Sequence, residues 1–197
     1  MIILTDLLRL PFDEGAKNTA FNIIEKLNFA NLHKIISING DVNIGLNVDM
    51  YKLNKAFVNV RFFAYLNSLS HSRILYIPES SATFFSIIRS WILKVFTRND
   101  VYLFALQPRK YNKFVQLIIK YISPKLFITP SISYANYIRN IGLPCEVIAL
   151  GVDNMKYQQY CTDERIKLKK KFNIEVDKTV LLHVGHIRES RNLEWFL

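Results

Sequence analysis

From its amino terminus the chain alternates compact apolar runs with longer stretches whose apolar positions recur three and four residues apart. Ile2–Thr5 is a short apolar run. From Gly15 to Asn28, residues Ala16, Ala20, Ile23, Ile24 and Leu27 fall at helical spacing. Lys34–Ile38 reads as a strand ended by Asn39-Gly40, and the polar, Asn-containing residues 41–55 read as loop. Ala56–Phe63 fits either a strand or the start of a helix. Arg73–Ile77 predicts a strand stopped by Pro78, and Ser80–Phe96 a helix with a serine N-cap.

The alternation continues with a strand over Val101–Leu106, a helix over Tyr111–Ile122 and a strand over Leu126–Thr129. A helix over Ser131–Ile141 with Gly142 as its C-cap and a strand over Cys145–Ala149 follow. Such βα alternation predicts an α/β class, with a doubly wound, mostly parallel sheet covered by helices. In such sheets ligands bind beyond the carboxyl ends of the strands. After Gly151 the chain turns polar and Lys-rich, with a helix near Asp163–Phe172. Thr179–Val184 then reads as a buried strand, followed by a turn at Gly185 and a helical start at Asn192–Leu197. The expected organisation is a first domain over 1–150, a linker over 151–178 and the opening of a second domain over 179–197. One βα step cannot bury its own faces. The expectation is therefore a truncated chain, or a second domain completed by something else.

Composition narrows the class. The chain has 197 residues, 50% hydrophobic and 21% charged, which suits a globular core and argues against disorder. No stretch reaches the roughly 18 apolar residues of a membrane span. Met1 to Asp6 lacks the basic start of a signal peptide. Cys145 and Cys161 form no Cys-x-x-Cys and no disulfide framework, which suits a cytoplasmic chain. Collagen, coiled coil, disulfide scaffold and transmembrane protein are excluded.

Charge is uneven. Of a net +10, residues 61–130 hold +8, with Glu79 and Asp100 their only acids. Such a patch attracts anionic lipid, nucleic acid or phosphorylated substrates. No RNP-like strand, zinc-ligand spacing or helix-turn-helix signature accompanies it, so nucleic acid is the minor reading. Ser80–Phe96 interleaves apolar residues with basic ones and fits an amphipathic helix on an anionic membrane. Its candidate contacts are Arg89, Trp91, Lys94, Phe96 and Arg98, with the three basic side chains expected at the surface. A helix packed with its whole apolar stripe in the core is the competing reading.

Three stretches resemble glycosyltransferase family 4, a group with the GT-B fold of two Rossmann-like domains. Pro11-Phe12-Asp13-Glu14-Gly15-Ala16 is similar to the family's glycine loop after its first strand. Val147-Ile148-Ala149-Leu150-Gly151-Val152-Asp153 is similar to the segment before the second domain. Leu182 to Leu193, with Val184-Gly185-His186, is similar to the family's Val-Gly-Arg turn. Their order and spacing also fit, and the resemblance spans the whole chain.

The resemblance implies a retaining transferase that moves a sugar from a nucleoside-diphosphate sugar to a polysaccharide or lipid-linked acceptor. It implies phosphate contacts at Gly15, Gly185, His186 and Arg191, with no metal or other cofactor. Gly15 suits the role because a helix N-terminus favours an anion and a missing Cβ permits close approach; a turn needing positive φ would equally call for glycine. Arg191 can grip phosphate bidentately, whereas His186 replaces the family's basic residue and is mostly neutral at pH 7. The family's paired glutamates and its first-domain histidine are not evident. Glu79 and Gln107 are the polar groups at the ends of middle strands, and neither is assigned catalysis. The chain alone is therefore expected to be inactive, peripheral to the inner face of a membrane. A non-enzymatic basic module binding membrane or nucleic acid is the alternative.

Overall fold

The computed structural model describes residues 1–10, 15–28, 34–40, 48–54, 57, 59–69, 73–151 and 160–180. It divides the chain into two compact units, Met1–Leu150 and Gly151–Leu197.

The first unit holds seven described strands: β1 (Ile2–Thr5), β2 (Lys34–Ile38), β3 (Val48–Tyr51), β4 (Ile74–Ile77), β5 (Val101–Phe104), β6 (Leu126–Thr129) and β7 (Cys145–Val147). Its helices are α1 (Gly15–Asn28), α2 (Val60–Ser68), α3 (Phe84–Thr97), α4 (Lys113–Ile122) and α5 (Ile132–Asn140). The strands form one all-parallel sheet in the order β3-β2-β1-β4-β5-β6-β7. This is a Rossmann-like, doubly wound α/β domain.

Strand alternation divides the core between the two faces. Ile2, Leu4, Ile36, Tyr76 and Leu103 face one side, where Phe62 and Leu66 of α2, Ile87 and Leu93 of α3, Ile119 of α4 and Ile138 of α5 pack. Ile3, Ile35, Leu75, Ile77 and Phe104 face the other, where α1 lays down Ala20 and Ile24. Leu4 sits between Ile36 and Tyr76, and Thr5 between Ser37 and Ile77, so the ends of β1, β2 and β4 are level.

Several elements differ from the sequence expectation. The supposed loop over 41–55 contains β3, an edge strand paired with β2 alone among described strands and half-buried throughout. The undecided Ala56–Phe63 segment gives way to α2, capped by Asn59, whose side chain accepts from Phe62 N–H at 3.1 Å. α3 starts at Phe84 rather than Ser80, because Ser81 takes φ +58 and breaks the helical path; Thr83 is the cap. In the second unit, α6 (Thr162–Lys171) follows Cys161, whose N–H donates to Glu164 at 3.1 Å. The strand and helix expected over Thr179–Leu197 fall, apart from Thr179 and Val180, outside the described residues.

Candidate functional site

The sheet order reverses between β1 and β4, and a cleft of about 310 Å³ opens beyond the strand ends there. It is lined by Asp6 and Arg9 after β1, Asn39 after β2, Asn54 after β3, Glu79 and Ser80 after β4, and Arg89 of α3. Ile38, Leu53 and Phe57 complete the lining. In doubly wound sheets this is where chain crossovers diverge and leave room for a ligand.

Its frame is a set of long-range clasps. Thr5 Oγ1 donates to the Ile77 carbonyl at 2.8 Å and accepts from Leu7 N–H at 3.1 Å. Asp6 Oδ1 accepts from Glu79 N–H at 2.5 Å, and its Oδ2 faces Arg89 Nη1 at 3.6 Å. Arg9 pairs with Glu79. The Arg89 guanidinium lies 4.7 Å from the Phe57 ring centre, in cation–π geometry, and 3.4 Å from the buried Tyr76 hydroxyl.

Backbone strain collects at the rim. Asn39, Phe57 and Ser81 adopt φ of +54, +60 and +58. Left-handed backbone costs a non-glycine residue about 1–3 kcal/mol and persists where surrounding contacts impose it. Those contacts are present. Asn39 bonds both the carbonyl and the N–H of Leu53, at 3.0 and 3.1 Å. Ser81 Oγ donates to the Gln107 carbonyl at 2.6 Å and accepts from its N–H at 2.9 Å. Phe57 sits edge-on to Tyr76, ring centres 5.7 Å apart.

The two guanidinium groups are matched by two carboxylates, so the charged lining is balanced. Burial pushes the Asp6 carboxyl above the usual carboxylate range, against the Glu79 N–H and the Arg89 charge, which pull it down. Such a carboxyl can hold a hydroxyl by hydrogen bond and take up its proton. Planar carboxylate, guanidinium and amide groups together offer donors and acceptors in pairs, a geometry that suits neighbouring hydroxyls.

The site residues expected from sequence are dispersed. Gly15 is the first residue of α1; its φ is not positive, and a Cβ there would meet open space. The turn explanation therefore fails, and no neighbour among the described residues demands glycine. Pro11–Glu14, Gly185, His186 and Arg191 lie outside the described residues. Arg89 corrects the surface expectation: its side chain is 17% exposed and turned toward Asp6 and Phe57 in the cleft. Lys94 and Arg98 are exposed, as are Trp91 at 39% and Phe96, which stacks on Phe63 of α2 with ring centres 4.9 Å apart.

Glu79 lines the cleft, while Gln107 anchors Ser81 through its backbone. Asp6, Arg9, Asn54 and Phe57 were missed. The signal for Asp6 was its position directly after the first apolar run, at a strand's carboxyl end. Among the described residues, no group of three or more His, Cys, Asp or Glu is placed to hold a metal. No helix among them is long and apolar enough to cross a membrane.

The fold and the cleft define a Rossmann-like parallel α/β domain with a charge-balanced polar site at its topological switch point. The chain matches no protein-family model and no curated protein.

Proposed function

We propose that the chain is the acceptor-side part of a retaining glycosyltransferase of the GT-B type. The complete enzyme moves a sugar from a nucleoside-diphosphate sugar to a polysaccharide or lipid-linked acceptor. The observation that carries this reading is the switch-point cleft, whose paired carboxylates and guanidiniums suit the hydroxyls of a sugar. Asp6 and Glu79 accept from acceptor hydroxyls, and Arg9, Arg89 and Asn54 donate to ring and linkage oxygens. Gly15 serves a substrate or donor phosphate, and Gly185, His186 and Arg191 serve the donor diphosphate, whose negative charge grows as the sugar leaves. Catalysis then rests on positioning and on cations rather than a metal. The chain works peripherally, at the inner face of a membrane that presents the acceptor.

Ligand-observed NMR with oligosaccharides tests the acceptor assignment. The expected result is saturation transfer to a carbohydrate, lost on Asp6→Ala together with Arg9→Ala. A chain that binds no carbohydrate, or binds it equally well in the double variant, overturns the reading. A second reading, a non-enzymatic basic module, draws on a separate observation: α2, α3, α4 and α5 contain no Asp or Glu.

A further inference from the structure

We infer that two copies of this chain join through the outer edge of β3, pairing antiparallel about Met50 so that their two sheets become one. The inference goes beyond the proposed function and stands whether or not the cleft binds a sugar.

The first observation is the direction of the backbone along β3. In a parallel ladder a residue turns its N–H and C=O toward the same neighbour, and the next residue turns both the other way. The Tyr51 carbonyl accepts from Asn39 N–H at 2.8 Å, and Leu53 bonds the Asn39 side chain through both its N–H and its carbonyl. Asp49, Tyr51 and Leu53 therefore face β2. Val48, Met50 and Lys52 turn their N–H and C=O outward, where no described strand pairs with them. The edge is held firm, because the Tyr51 ring stacks on Tyr65 of α2 with centres 5.3 Å apart and Lys34 holds Asp49 at 2.8 Å.

The opposite edge of the sheet is guarded. Ile148 N–H donates to Thr129 at 3.0 Å, so Cys145 and Val147 are the outward residues of β7. Arg139 Nε donates to the outward Cys145 carbonyl at 2.9 Å, and the exposed Glu146 adds a charge. Such devices keep edge strands from pairing. Among the described residues no side chain caps an outward carbonyl of β3.

A second copy fits this edge because the edge is complementary to itself. A two-fold axis normal to the sheet places opposite residues on the same face, so it passes through a residue rather than between two. Centred on Met50, it lets the two Met50 residues exchange both backbone bonds, and sets each Val48 against the second copy's Lys52. Asp49 then meets Tyr51, and no like charges stand opposite. Charge favours the same end of the molecule. β1, α1, β2 and β3 come from residues 1–60, which hold six basic and six acidic residues, and α2 adds only Arg61. For a chain of net charge +10, this is where two copies meet with least repulsion.

Sedimentation velocity of the full chain at rising concentration tests the inference. The wild type is expected to pass from monomer to dimer and no further. Met50→Pro removes the outward N–H without touching a bond to β2, and should raise the dimer dissociation constant about ten-fold or more. Met50→Lys and Met50→Glu should each stay monomeric, since like charges then face each other across the axis. Mixing the two variants should restore a dimer of one copy of each. In the wild type the Met50 amide should exchange more slowly in the dimer than at dilutions where the chain is a monomer and β3 is a free edge.

A wild type that stays monomeric up to about 0.5 mM overturns the inference. So does a dimer that Met50→Pro and Met50→Lys leave unchanged, or growth past the dimer into filaments. Failure of the mixed Lys and Glu variants to associate, with both folded by circular dichroism, rejects the pairing about Met50. Carbohydrate binding is read separately, so loss of that reading leaves this one standing.

Discussion

Asp6 is held between burial, which favours its protonated form, and two partners that favour its charge. Burial is the larger influence, so the native protein keeps a proton on Asp6 at pH values just above 3.8, where the unfolded chain has lost it. The native state then binds more protons, and the stability contributed by this group falls as pH rises through that window. Asp6→Asn has no such titration. The wild type minus variant stability, from denaturant unfolding, should therefore decline from below pH 3.8 upward. A difference that rises over that range would show that the Arg89 and Glu79 contacts outweigh burial. Gly142 poses a simpler case. It takes φ +91 after α5, with Gly142 N–H to Arg139 at 2.8 Å and Leu143 N–H to Ile138 at 3.2 Å, the paired bonds of a Schellman motif. A Cβ there meets no neighbour, so Gly142→Ala should cost the conformational penalty alone, about 1–2 kcal/mol. Unchanged stability in thermal unfolding would contradict it. The helix-stop glycine was legible from sequence because few residues tolerate that backbone. Asp6 was not, because a polar residue after a strand resembles any turn former.

At the scale of elements, α3 shows why its apolar stripe misled. The helix turns Ser86, Ser90 and Thr97 inward with Ile87 and Leu93, and leaves Trp91, Val95 and Phe96 exposed. The buried hydroxyls are satisfied: Ser90 donates to the Ser86 carbonyl at 3.0 Å and Thr97 to that of Leu93 at 2.6 Å. Small residues let a helix lie close to a sheet, and close packing outweighed the size of the apolar side chains. The centre of the sheet was legible for the opposite reason: β1, β4 and β5 are short, predominantly apolar runs that are almost wholly buried. β3 was not, since Val48–Tyr51 is half-buried and carries Asp49, which pairs with Lys34 at 2.8 Å. Edge position has a measurable correlate. Amide hydrogens of β3, with one strand neighbour, should exchange faster than those of β1, which has two. Equal protection of the two strands in exchange mass spectrometry would contradict this.

For the whole molecule, the charge imbalance visible in the middle third of the sequence becomes a division between faces. Four acid-free helices cover one side of the sheet, while α1 presents a mixed surface on the other. Sequence supplied the amount of charge but not its direction, because only the sheet order decides which helices share a face. That order also gives the cleft a history. The bonds that close it, from Thr5 to Ile77 and from Glu79 to Asp6, join residues 72 and 73 positions apart, whereas Asp100 and Lys125 are separated by 25. Closing long loops slows a folding search more than it burdens the final state. A ribosome must therefore release the chain beyond Arg89 before any ligand has a place to bind. The half of the sheet from β4 onward assembles from near neighbours and has no such wait. A ligand seated in the cleft then acts as a latch on the slowest join, holding the two halves of the sheet together in proportion to the logarithm of its concentration.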